Sequence, residues 1–318
     1  MTSTLHPDAQ RVLELIRLSG RPPFEAMSPQ EARAVYRDGR NVLQPEPAAV
    51  ALVRNLDAPG PAGPIPLRLY RAAGTEPHSP LPTLIFFHGG GWVIGDLDSH
   101  DVVCRGLANA SGGAVVAVDY RLAPEHRFPA SVDDSAAAVR FVAEQAGSLG
   151  LDAARLAVGG DSAGGNLATV MAIMARDGDL PPLGFQLLIY PATDLTACHP
   201  SYDRVTEGLP LVARSMHYFA AHYLADPAHS IDWRASPLRA ADLSRLPPAL
   251  VLTCTHDPLC DEGIAYAERL EREGSQVLRV HLSNQMHGFL TMGRVVRASG
   301  TAIALCGAAL REAWSVSA

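Results

Sequence analysis

Ser162 stands in the segment Gly160-Asp-Ser-Ala-Gly164, between the apolar run Leu156–Val158 and an alanine-rich stretch. A strand-to-helix turn sharp enough to expose a serine oxygen crowds the residues two before and two after it, and glycine relieves that clash. The helix that follows aims its N-terminus, the positive end of its dipole, at the serine. So short a pattern also occurs in ordinary glycine-rich turns, and it gains weight from the strand before it and the helix after it.

A second segment, Phe86-Phe-His-Gly-Gly-Gly-Trp92, follows another apolar run. Three consecutive glycines cost conformational entropy, which marks backbone that must approach something closely. A carbonyl turning tetrahedral develops an oxyanion, and preorganised amide N–H groups stabilise it. Gly89 and Gly90 are candidate donors, with Ala163 as a third; a plain flexible loop is the alternative. His88 is expected to order the loop and not to act as a base.

A serine hydroxyl is a weak nucleophile at neutral pH and needs a base held by an acid. Among 12 histidines, His287 follows the apolar run Val277–Leu282 and a short polar loop, and leads into Gly288-Phe289. His281 falls inside that run, and His217, His222 and His229 fall in a region that reads as surface or lid. Asp257 comes just after the run Ala249–Cys254 and before Pro258, at the carboxyl end of a strand where ligands of such sheets gather. Asp261, Glu262 and Asp194 are rival acids that fit caps or loop hydrogen bonds better. The order Ser162, Asp257, His287 is that of α/β hydrolases.

These residues need a rigid frame. From Thr83 onward, short apolar runs (Leu84–Phe87, Ala114–Val118, Leu156–Val158, Phe185–Ile189, Ala249–Cys254, Val277–Leu282) alternate with helical stretches near 100–110, 131–147, 163–176, 262–273 and 295–313. The alternation predicts a mostly parallel sheet with helices on both faces. Two amphipathic helices precede it, the second opening at Ser28-Pro-Gln-Glu31. A Pro/Gly-rich passage over Ala58–Pro66 comes next, then strand-like Leu67–Tyr70 and a turn-rich loop from Gly74 to Pro82. About 50 residues separate Tyr190-Pro191 from Ala249, a length that suits a lid or substrate loop.

With 318 residues, 47% of them hydrophobic and 19% charged, the chain is expected to be one folded domain, residues 1–318. A net charge of −7 and scattered arginines argue against a nucleic-acid partner. Five cysteines without a C-x-x-C pair, and an N-terminal stretch broken by Asp8, Arg11, Glu14 and Arg17, fit reduced thiols and a cytoplasmic location. No run of about 20 apolar residues offers a membrane span.

Together these segments resemble the hormone-sensitive-lipase-like carboxylesterases, an α/β-hydrolase family. The resemblance rests on His88-Gly-Gly-Gly91, Asp119-Tyr-Arg-Leu-Ala-Pro-Glu-His126, Phe128-Pro-Ala130 with Asp133-Asp134, Gly160-Asp-Ser-Ala-Gly-Gly-Asn166, Asp257-Pro-Leu-Cys-Asp-Glu-Gly263 and His287-Gly-Phe289. It implies an eight-stranded sheet, a helical cap from about residues 1–45 and about 197–230, and no cofactor. It also implies Ser162 as nucleophile, His287 as base, Asp257 as its partner, and Gly89, Gly90 and Ala163 as the oxyanion hole. The Tyr120–His126 stretch reads as structural support for the site. Two departures stand out. Asn284-Gln-Met286 replaces a glycine that often precedes the histidine, and Asn tolerates a positive φ turn. Cys260 stands where arginine commonly follows Asp-Pro-Leu.

The expected function is a serine carboxylesterase that hydrolyses short- to medium-chain esters through an acyl-enzyme. Phe24, Leu209, Met216 and Phe219 are expected to wall an apolar pocket for a small ester. An amidase or deacetylase of the same mechanism, or an inactive ligand-binding member of the fold, are the alternatives. A metal hydrolase is disfavoured because H-E-x-x-H is missing and the histidines are dispersed, so no metal is expected. An exposed edge strand would support a homodimer like those of relatives.

Overall fold

A computed structural model describes residues 4–76 and 79–316. Residues 1–3 of the expected cap segment and 77–78 of the expected loop lie outside the described residues.

Among the described residues, eight strands form one sheet: β1 (Leu52–Gly60), β2 (Gly63–Arg71), β3 (Leu81–Phe87), β4 (Ala114–Val118), β5 (Leu151–Asp161), β6 (Phe185–Ile189), β7 (Ala249–His256) and β8 (Val277–Met286). They lie in the order β1-β2-β4-β3-β5-β6-β7-β8. β2 runs antiparallel to β1 and β4, and all other neighbours are parallel.

The central strands read as unbroken apolar runs because both faces are covered. On β3, Ile85 and Phe87 point to one layer while Leu84 and Phe86 point to the other. The first layer holds α4 (Ala130–Glu144), α6 (Ala163–Arg176) and α9 (Cys260–Arg272); the second holds α1 (Pro7–Ser19), α3 (Asp101–Ser111) and α10 (Ala298–Val316). The short helix α5 (Ala146–Leu149) links α4 to β5.

The Pro/Gly-rich passage over Ala58–Pro66 belongs to the β1–β2 hairpin. Prolines hide strands because they cannot donate to a ladder. Here Pro64 and Pro66 fall in the part of β2 that has only β1 beside it, since β4 pairs from Leu67 onward.

α2 (Pro29–Leu43) begins with a capping box in which Ser28 Oγ accepts from the Glu31 N–H and the Glu31 carboxylate accepts from the Ser28 N–H. Arg33 on α2 donates to the Val93 and Ala123 carbonyls and to Glu125. The insertion after β6 carries α7 (Pro200–Arg204) and α8 (Ala213–Tyr223). Tyr223, at the end of α8, stacks on Trp92 at 4.3 Å between centroids. Phe219 meets Phe24 at 5.8 Å, and Ser215 donates to Glu25. The N-terminal segment and the insertion therefore touch each other above the carboxyl ends of the strands. Among the described residues, no helix is long and apolar enough to cross a membrane.

Candidate active site

β5 delivers Ser162 at its end and α6 starts at the next residue. The turn between them holds Ser162 at φ 56° and ψ −117°, a left-handed conformation for a residue with a side chain. The crowding expected of this turn is present. A Cβ on Gly160 would lie 2.4 Å from the Phe87 carbonyl oxygen and from the Gly164 carbonyl carbon, and one on Gly164 would lie 1.8 Å from the same Phe87 oxygen.

His287 Nε2 lies 2.9 Å from Ser162 Oγ, and its Nδ1 lies 2.7 Å from Asp257 Oδ2. Asp257 is fully buried; its Oδ1 accepts from the Leu259 N–H, and the Cys254 thiol approaches Oδ2 at 3.6 Å. The ring of Tyr190 rests 4.5 Å from the His287 ring. No left-handed turn forms at Asn284, contrary to expectation. β8 continues through Met286, and the positive φ of 77° falls at Gly288, immediately after the histidine.

The rival acids are engaged elsewhere. Asp261 pairs with Arg204, and Glu262 accepts from the Thr193 and Asp194 N–H groups. Asp194 pairs with Arg239 and lies 3.3 Å from His199. Among the described residues, Asp194, Cys198 and His199 are the group close enough together to hold a metal ion. The Arg239 guanidinium already supplies the positive charge at that carboxylate. Cys260 sits buried beside the acid, and burial with the neighbouring Asp257 charge pushes its thiol up to about 12, so it is inert. His281 on β8 contacts Thr253 and Thr255 of β7.

His88 is buried, with Nδ1 2.8 Å from the Gly89 carbonyl and its ring stacked on Tyr120 at 4.4 Å. Burial, then the neighbouring His100, lowers its pKa to about 4, which keeps it neutral. Tyr120 Oη donates to the His88 carbonyl, and Arg121 makes a two-point pair with Asp134. The stretch from Tyr120 thus braces the glycine loop.

One expectation for that loop fails. The Gly89 N–H donates to Asp161 Oδ1 at 2.9 Å, so it does not face the serine. Gly90 and Gly91 line the cavity over Ser162. Gly91, not singled out in the sequence, lines that cavity, and Gly89 does not. Ala163 follows Ser162 as the first residue of α6.

The cavity at Ser162 measures ≈ 80 Å³, and its walls include Phe24, Leu211, Met216 and Phe219. Leu209 is not among them. It packs against the other core layer, and Pro210 and Leu211 face the cavity instead. A larger apolar chamber of ≈ 340 Å³ adjoins it beneath α1 and α2, sharing Phe24, Tyr36, Pro210, Thr291 and Met292.

A strained serine at a strand–helix turn, linked to a histidine and a buried aspartate on this sheet, defines an α/β hydrolase. A family model described as alpha/beta hydrolase fold matches residues 84–291. The ethyl acetate hydrolase of Pseudomonas putida is 37% identical over 97% of this chain and 99% of its own length. A carboxylesterase of Mycobacterium tuberculosis, NlhH, is 44% identical over 78% of each chain. Among solved structures, a serine-to-alanine variant of an α/β hydrolase from the metagenome of Lake Arreo superposes with a TM-score of 0.94 at 41% identity, covering 98% of this chain and 99% of the other. A hyperthermophilic esterase from Pyrobaculum calidifontis gives 0.91 at 38% identity, over 99% and 100%. The chain belongs to the α/β-hydrolase family, as one of its hormone-sensitive-lipase-like carboxylesterases, and is a carboxylic ester hydrolase.

Proposed function

We propose that the chain hydrolyses esters of short to medium acids by acyl transfer to Ser162. His287 Nε2 takes the Ser162 proton as Oγ attacks the carbonyl carbon, and Asp257 holds the imidazole and stabilises its charged form. Gly90, Gly91 and Ala163 donate to the developing oxyanion, aided by the N-terminus of α6. His287 then protonates the leaving alcohol, and water repeats the cycle on the acyl group. The observation that carries this reading is the unbroken contact chain of 2.9 and 2.7 Å from Ser162 through His287 to Asp257.

The acyl group takes the ≈ 80 Å³ cavity, which is too small for a long chain. The alcohol leaves on the histidine side, past Thr291 and Met292, where the ≈ 340 Å³ chamber begins. Residues from about 1–45 and about 197–230 act as a cap over both, as parts of a single domain. The ethyl acetate activity named for the Pseudomonas relative fits small acyl groups.

A fluorophosphonate should label the protein once per chain, and Ser162→Ala should abolish both the label and the burst of nitrophenol from nitrophenyl acetate. Turnover of the variant near the wild-type rate would overturn the assignment. A nitrophenyl ester series should peak at short acyl chains.

The cytoplasm is the proposed location, in keeping with five free cysteines. A homodimer is proposed along β8, the edge strand, where Leu278 is exposed; sedimentation with and without Leu278→Lys tests it.

A further inference from the structure

A second Asp–His–Ser series lies behind the glycine loop, outside the triad. Asp161, directly before Ser162, is 3% exposed; His100, at the start of α3, is 1% exposed; Ser99 is 2% exposed. His100 Nε2 lies 3.1 Å from Asp161 Oδ1. On the other side of the ring, His100 Nδ1 lies 3.0 Å from Ser99 Oγ. Ser99 Oγ also donates to the Asp96 carbonyl and accepts from the Asp96 N–H. Ser99 is fixed further by the Asp96 carboxylate on its N–H and by Gln44 of α2 on its carbonyl.

The other end of the series grips the loop. Asp161 Oδ1 accepts the Gly89 N–H at 2.9 Å, and a Cβ on Gly89 would lie 2.4 Å from Asp161 Oδ2. Burial alone would raise the Asp161 pKa; the adjacent His100 and the Gly89 N–H outweigh it and hold the carboxyl below its usual range. The carboxylate therefore stays ionised and grips a backbone amide with a charge-assisted bond. One residue of the turn thus holds the nucleophile by its backbone and the glycine loop by its side chain.

We propose that Asp161 and His100 are positioning residues for the oxyanion site. Asp161, held by His100 and Ser99, pins Gly89 and thereby fixes where the N–H groups of Gly90 and Gly91 point relative to Ser162. The catalytic part rests on the acyl-transfer reading above; the pinning of Gly89 does not.

Two readouts on the full chain separate the parts. Hydrogen exchange of the peptide spanning Gly89–Gly91 should quicken about tenfold in Asp161→Asn and His100→Gln, and stay at the wild-type rate in Ser162→Ala. Exchange unchanged in both variants overturns the proposal, whatever the enzyme does. For nitrophenyl acetate, kcat should fall about 10- to 100-fold in both variants with KM within twofold, less than the loss from deleting an oxyanion donor outright. A trifluoromethyl ketone transition-state mimic should weaken by the same factor as kcat. A loss confined to KM, or kcat within twofold of wild type while exchange quickens, also overturns it. Ser99→Ala, at the far end of the series, should reproduce both effects about threefold in the same direction if either buried variant fails to fold. A Ser99→Ala protein identical to wild type in both readouts counts against the proposal. Failure of wild type to accept a fluorophosphonate would sink the acyl-transfer reading alone.

Discussion

Phe219 of α8 rests on the bare backbone of Gly91: a Cβ added there would lie 2.3 Å from the ring Cγ, at a φ of 58°. The residue that lines the cavity over Ser162 is therefore also the floor on which the insertion sits. Gly91→Ala must displace Phe219 or move the loop, and either change disturbs the oxyanion donors. The expected outcome is a fall in kcat/KM of at least about 100-fold, comparable to loss of one donor. The destabilisation should be on the order of 1–3 kcal/mol, as for other overpacked sites. Kinetics and a denaturant titration of the variant check both numbers; near-normal activity would detach Gly91 from the chemistry.

Asp257 does not need its charge to keep the site's shape, because the Leu259 N–H holds Oδ1 while Oδ2 faces His287. Asp257→Asn preserves the shape and offers an amide to the wrong face of the imidazole, favouring the unproductive tautomer. By the behaviour of serine triads in general, kcat should fall about 10⁴-fold with little change in KM. Steady-state kinetics with nitrophenyl acetate decides this, and a loss under tenfold would mean that another acid orients His287.

How much of this was legible in the sequence depends on how local each feature is. The meeting of Ser162, Asp257 and His287 follows from glycine spacing at one turn and from two positions just past strand ends, all short-range signals. Which glycine faces the serine is not a local matter. It depends on the Asp161 side chain, 72 residues further along, capturing the Gly89 N–H. Pro210 and Leu211, and not Leu209, face the cavity because the insertion has no strict periodicity before α8 to fix which side chain turns inward. The β1–β2 hairpin was obscured by its prolines, which are tolerated only because part of β2 has no second neighbour.

Asp119 supplies a prediction for pH. Burial, then the nearby Asp96 and Asp98 charges, raises its folded pKa to about 6. An unfolded aspartate titrates near 4. The folded state therefore binds this proton more tightly, and the Asp119 contribution to stability is fully present below about pH 4 and is lost as pH rises through about 6. At pH 8 the half-buried carboxylate costs on the order of 1–2 kcal/mol. Asp119→Asn should raise Tm by roughly 2–5 °C at pH 8 and leave it unchanged at pH 4. Thermal melts of both proteins at the two pH values test the sign, and equal shifts at both would refute the ionisation account.

Phe219, with Leu211 and Met216, forms an apolar side of the ≈ 80 Å³ cavity. If that side takes the acyl group, truncating the ring should admit longer chains. Each extra methylene placed in an apolar pocket changes discrimination by roughly 1–3 kcal/mol. Phe219→Ala should therefore raise the hexanoate-to-acetate ratio of kcat/KM by at least about tenfold. The change also removes ring contacts with Phe24 and Tyr218, so a stability loss of roughly 3–5 kcal/mol is expected. Phe219→Leu keeps more of that packing and should move the ratio the same way by a smaller factor. Both are measured with nitrophenyl esters well below the melting point of each variant. A ratio unchanged in two folded variants would place the acyl group in the chamber beneath α1 and α2, and the alcohol against Phe219.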